Sequence, residues 1–187
     1  DKEMNKMYVG TYTKKEGHVD GKAEGIYLLH QDPDNGSLTN CGTQAKIINP
    51  SFVKTGRQGK FLFAVSELGP GDDKSGYVYS YQIEENGNLK EISKLSTGGH
   101  APCHIALDRS GKFVFVSNYM GGVVVMYRIQ QDGSLEKHEQ LNMPNSDRNA
   151  QTSSDCYKWV AGAGGGGGRD HLTPRDLAGS IQLMSRD

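Results

Sequence analysis

The chain has 187 residues, a formal charge of -1, 35% apolar residues and a mean hydropathy of -0.63. One ordinary domain fits that length, and so small a charge supplies no field to draw in nucleic acid or an anionic membrane. No apolar run approaches the roughly 20 residues that span a bilayer, and three scattered cysteines (Cys41, Cys103, Cys156) without a CxxC pair argue against a disulfide framework or a zinc site.

The N-terminus, Asp1-Lys2-Glu3-Met4, is polar and has no signal-peptide core. Unpaired thiols favour a cytoplasmic location. Because no Met stands at position 1, a removed leader, and with it a periplasmic or secreted location, stays open. The first predicted strands are Met7-Tyr8-Val9-Gly10-Thr11-Tyr12 and Gly25-Ile26-Tyr27-Leu28-Leu29, followed by an Asx-Gly turn at Asn35-Gly36-Ser37-Leu38. The next group opens with Pro50-Ser51-Phe52-Val53 and continues through the apolar run from Gly59-Lys60-Phe61 to Val65-Ser66. A third strand, Gly76-Tyr77-Val78-Tyr79-Ser80-Tyr81, leads to the turn Asn86-Gly87-Asn88-Leu89 and a fourth strand over 89–96.

A third group repeats the second. Pro102-Cys103-His104-Ile105 and Gly111-Lys112-Phe113-Val114-Phe115-Val116-Ser117-Asn118 follow their counterparts at a shift of 52, and the polar turn Asp108-Arg109-Ser110-Gly111 lies between them. Gly121-Gly122 breaks the chain before Val123-Val124-Val125-Met126-Tyr127, and Asp132-Gly133-Ser134-Leu135 leads into a last strand over 135–141. Short β-branched and aromatic runs between Gly, Asn and Asp turns specify antiparallel strands. The 25 glycines, well above an average share of about 7%, sit mostly at such turns.

A repeat of about 40–50 residues with four strands, A to D, is the period of a β-propeller blade. The expected fold is therefore all-β: four-stranded antiparallel blades, about three of them, in an incomplete ring whose first copy lacks strand A. A fourth copy begins at Ser154-Asp155-Cys156-Tyr157-Lys158 and fails in the glycine run 164–168; residues 176–184 form at most a short helix. The expected organisation is a partial propeller over 1–145 and a flexible, Gly-rich, irregular tail over 146–187, the pattern of a truncated, rearranged or frame-shifted longer protein. An open ring exposes a blade edge, so edge-to-edge self-association is expected.

Strand alternation sends the start of A and the end of B to one face. His104, Ser66, Glu67, Asn118 and Tyr119 are thus expected on one rim of the central channel, with Tyr12 in the equivalent place of the first copy. A histidine at a strand start is more often a structural hydrogen-bond donor than a catalyst, and Asn118 is as able to hold the B–C turn as to touch a ligand. His18, His30, His100, His138 and His171 show no metal-ligand spacing. The glycine run with Arg169 is not a phosphate-binding loop, since no Gly-Lys-Ser/Thr follows it.

Several of these residues carry a resemblance. Tyr8-Val9-Gly10-Thr11-Tyr12-Thr13, Phe63-Ala64-Val65-Ser66-Glu67, and Pro102-Cys103-His104 with Ser117-Asn118-Tyr119 and Gly121-Gly122-Val123 resemble, in order, motifs of the lactonase-type seven-bladed propellers, the bacterial 6-phosphogluconolactonase family. The resemblance covers about residues 6–145 and implies that more than half of the usual ring is absent. It implies hydrolysis of a sugar-acid lactone, with the small lactone as partner and with neither metal nor cofactor. Under it, His104 or Glu67 is the base that activates water, while Tyr12, Ser66, Asn118 and Tyr119 bind substrate. Arg148, in Asn145-Ser146-Asp147-Arg148, resembles a family arginine that would pair with a phosphate. The family's following Pro-His-x-His motif does not appear. The rival reading is a non-catalytic propeller that binds a sugar or a protein at the same rim.

Overall fold

The computed structural model describes residues 2–120 and 122–142. Arg148, Cys156, His171, the glycine run and the expected division at residue 146 lie outside these residues.

The described chain forms eleven strands and no helix. The first sheet, in the order β1-β2-β3, comprises β1 (Asn5–Val9), β2 (Ile26–Gln31) and β3 (Leu38–Ala45). The second, β4-β5-β6-β7, comprises β4 (Val53–Gly56), β5 (Phe61–Ser66), β6 (Tyr77–Ile83) and β7 (Leu89–Ser96). The third, β8-β9-β10-β11, comprises β8 (His100–Leu107), β9 (Phe113–Met120), β10 (Val123–Ile129) and β11 (Leu135–Asn142). Every pairing is antiparallel and joins sequence neighbours. These are the expected blades, the first without its A strand.

The three Asx-Gly turns fold alike because the same chemistry recurs. Asn35, Asn86 and Asp132 each accept a hydrogen bond through Oδ1 from the backbone N–H two residues on, at 2.8, 3.0 and 3.0 Å. Each following glycine is left-handed, with φ of 75°, 89° and 89°.

The A strands depart from expectation. β4 starts at Val53 rather than Ser51, and β8 starts at His100, well before Ile105. Strand β8 is the edge of its sheet, so Pro102 removes a donor that no ladder there requires. A register shift between Pro102 and His104 and a left-handed Ala101 (φ 53°) let the extended chain bend past the proline.

Packing between blades explains the unbroken apolar run of β5, in which all six residues are buried. Alternate side chains serve different neighbours. Phe61, Phe63 and Val65 pack with Ile105, Val114 and Val116 of the third blade, whereas Leu62 and Ala64 pack with Tyr8, Ile26 and Leu28 of the first. Three polar links cross the same boundaries. The Tyr8 hydroxyl donates to Gly87 O at 2.6 Å, the Tyr127 hydroxyl to Ser96 O at 2.6 Å, and Arg57 Nε to Gly111 O at 2.8 Å. No helix among the described residues is long and apolar enough to cross a membrane.

Candidate functional site

Glu67 follows the last residue of β5, where the apolar run ends and the chain turns at the rim. Its carboxylate is only 7% exposed. The Tyr12 hydroxyl, carried on the loop between β1 and β2, donates to Glu67 Oε2 at 2.8 Å, and Ser51 Oγ donates to Oε1 at 3.0 Å. His18 Nε2 stands 3.7 Å from Oε2 and 3.3 Å from the Tyr12 hydroxyl, with its ring edge-on to the Tyr12 ring. The repeat register gives Tyr12 and Glu67 equivalent places in successive copies, and their side chains meet across two blades.

Burial first, and the adjoining Glu67 carboxylate second, push the Tyr12 phenol well above the usual tyrosine range. Tyr12 therefore stays protonated and serves as a donor. The cluster presents a fixed carboxylate with two hydroxyl donors, a geometry suited to orienting a polyol or drawing a proton from water.

Its framework is a residue that the sequence reading passed over. Asn49 is fully buried, with a left-handed φ of 47°. Its carbonyl accepts the Glu67 N–H at 3.0 Å, and its Nδ2 donates to the Glu67 carbonyl at 3.2 Å. Its Oδ1 accepts from the N–H groups of Thr13 and Lys14 at 2.9 and 3.3 Å, while Nδ2 also reaches Glu16 at 2.9 Å. One side chain thus fixes both the backbone beneath Glu67 and the loop that carries Tyr12. Lys14 completes the strap through an ion pair with Asp72. The dipeptide Asn49-Pro50 is the available sequence signal, a turn marker directly before an A strand. Gly21 is the loop's second requirement: a Cβ there would lie 2.5 Å from the Tyr12 backbone.

The other predicted residues separate into two groups. Thr11, Ser66 and Asn118 are aligned by the repeat, and each bonds backbone. Thr11 Oγ1 donates to Gly25 O at 2.6 Å and Ser66 Oγ donates to Ile48 O. Asn118, fully buried, donates through Nδ2 to Thr97 O at 2.7 Å and to Val123 O at 3.2 Å. Of the residues one step further on, Tyr12 and Glu67 bond each other at 2.8 Å, and Tyr119 is 41% exposed beside Met120 at 45%.

His104 lies deeper, 3% exposed, its ring 4.7 Å from that of Phe52. Phe52 occupies the aligned position in the second blade. Burial, with the nearby Lys54 charge as a smaller cause, pushes the imidazole down to about 4. It is therefore neutral at physiological pH, a proton acceptor and not a cation.

A family model described as lactonase, seven-bladed β-propeller, matches residues 6–159, reaching past residue 145 where the sequence resemblance was expected to end. The chain is 35% identical over 130 residues to a 6-phosphogluconolactonase of Bacillus subtilis, covering 69% of this chain and 34% of that protein. It is 31% identical over 136 residues to a 6-phosphogluconolactonase of Formosa agariphila, covering 72% and 36% respectively. Among solved structures, a periplasmic gluconolactonase of Pseudomonas aeruginosa superposes with a TM-score of 0.65 at 29% identity, covering 74% of this chain and 39% of that one. The chain spans about a third of the length of the curated relatives it matches.

Proposed function

Because this chain belongs to the lactonase family of seven-bladed β-propellers, we propose that the ring to which its three blades contribute hydrolyses a sugar-acid lactone, in the finer form 6-phosphogluconolactone. The observation that carries this reading is the Glu67 carboxylate, held at the channel rim by Tyr12 and Ser51 from two different segments. Water attacks the lactone carbonyl carbon while Glu67 takes its proton. The ring C–O bond then breaks, the departing alkoxide takes up a proton, and a hydroxy acid leaves. His104, kept neutral by burial, is the second base of the pair. Tyr119, exposed on the same rim, donates to the carbonyl oxygen as it gains charge. Ser66 and Asn118 support the site through their backbone bonds, and Arg148 receives the phosphate.

The test follows proton release from gluconolactone and 6-phosphogluconolactone in a protein that completes the ring around these blades. Glu67→Gln is expected to lower kcat by about 10²–10⁴-fold, with His104→Phe adding to the loss. A Glu67→Gln/His104→Phe double variant that keeps the parent rate would end the assignment.

The exposed Tyr119 and Met120 favour a second reading, a rim that stacks on a sugar ring without chemistry. Saturable binding of gluconate or gluconolactone, abolished by Tyr119→Ala and never accompanied by turnover, would establish it in place of the first.

A further inference from the structure

The opposite ends of strands β4 and β8 carry a feature that the rim chemistry does not use. The A–B hairpins of the second and third blades share a motif: Arg57-Gln58-Gly59-Lys60-Phe61 and Arg109-Ser110-Gly111-Lys112-Phe113, again at a shift of 52. Between the two hairpin tips lies a cavity of about 610 Å³. Lys54, Arg57, Lys60 and Arg109 line it, with Asp108 as its one carboxylate.

That carboxylate is turned into its own hairpin. Asp108 Oδ1 accepts from the N–H groups of Lys112 and Phe113, both at 3.0 Å, and Oδ2 accepts from the Ser110 N–H at 3.3 Å and from the Ser110 hydroxyl. Lys60 and Arg109 have no acidic partner among the described residues. A chain of formal charge -1 thus concentrates four cations around one concave surface.

The cavity is also held in shape. Arg57 Nε bonds Gly111 O at 2.8 Å and Nη2 bonds Ile129 O at 3.3 Å, fixing one hairpin against the other. Arg57 and Gln58 are both left-handed, with φ of 52° and 57°. Non-glycine residues are strained in that region, and such strain clusters at ligand sites.

We propose that this cavity binds a small phosphate-bearing anion, a sugar phosphate by size, between the two hairpins. Guanidinium and ammonium groups converging on a cavity are the chemistry that recognises a phosphate dianion. The site does not rest on the lactonase reading, since its residues lie at the far end of the A strands from Glu67.

The test is a ¹⁵N NMR titration of the chain with inorganic phosphate, glucose 6-phosphate and, as the uncharged control, glucose, in about 150 mM salt so that loose surface attraction is screened. The two phosphates are expected to move the amides of residues 54–61 and 107–112 saturably, whereas glucose leaves them in place. A Lys60→Gln/Arg109→Gln double variant, changed only at exposed tips, is expected to weaken the response at least tenfold with the rest of its spectrum unaltered. The single Arg109→Gln variant gives a smaller loss and serves if the pair disturbs folding. Shifts confined to the rim, an equal response to glucose, no saturation, or undiminished binding in both variants would each overturn the proposal.

Discussion

At Asn49 a single amide joins two parts of the candidate site, and its removal has a computable sign. Asn49→Ala deletes the bonds to Thr13, Lys14, Glu16 and the Glu67 carbonyl, and leaves a Cβ residue at a φ of 47°. Orphaning buried backbone donors costs roughly 1–3 kcal/mol, so a total near 3 kcal/mol is expected in urea unfolding. Asn49→Gly loses the same bonds but relieves the backbone, and is expected to recover about 1 kcal/mol of that loss. His104 makes a second test. Its ordinary pKa of 6.5 applies to the unfolded chain and about 4 to the folded one. Between those values the unfolded chain binds a proton that the folded chain refuses, so stability falls as pH falls through that window, by roughly 3 kcal/mol in all. His104→Phe, which copies Phe52 in the aligned blade, is expected to keep the fold at pH 7 and flatten stability between pH 6.5 and 4. That Tyr12 and Glu67 hold equivalent positions in successive copies was legible in the sequence from repeat register; that the hydroxyl of one bonds the carboxylate of the other was not. Nor was the role of Asn49, since it depends on the loop between β1 and β2 folding over the second blade.

Single elements respond to substitution according to what surrounds them. Gly111 and Gly133 are both left-handed turn residues, with φ of 67° and 89°. A Cβ at Gly111 meets nothing within 4 Å, whereas at Gly133 it would lie 2.4 Å from the Phe61 ring. Gly111→Ala is therefore expected to cost about 1–2 kcal/mol, the left-handed penalty alone. Gly133→Ala is expected to cost about twice that or more, because the ring of Phe61 between two blades must shift. Comparing their urea midpoints against the parent checks the contrast. The turn and the need for glycine are local and readable from Asp132-Gly133-Ser134. The packing of that turn against Phe61 joins segments about 70 residues apart, and no local pattern announces it. The A strands show the same limit: Pro102 reads as a break, but at a sheet edge it is simply accommodated.

Across the molecule, the blades are coupled by shared apolar faces and by the bonds from Tyr8, Tyr127 and Arg57. Central strands β5, β6, β9 and β10 are mostly buried and bonded on both sides, while β3, β7 and β11 are outer edges with exposed side chains. Hydrogen exchange is expected to show β5 and β9 as the most protected strands, opening together, with β3 and β11 exchanging first. Separate protection levels for β5 and β9 would mean that the blades do not unfold as one unit.

By itself the sequence determined that the chain is built of propeller blades and where their strands and turns fall. Those properties follow from periods of two residues and of one blade, both written locally along the chain. Only the tertiary structure decided which of the polar residues clamp the backbone and which face the rim. It alone showed that His104 is buried and neutral, that Asn49 carries Glu67, and that the cations of two hairpins enclose one cavity. Each depends on the distance between segments remote in sequence, and that distance is set by how blade packs on blade.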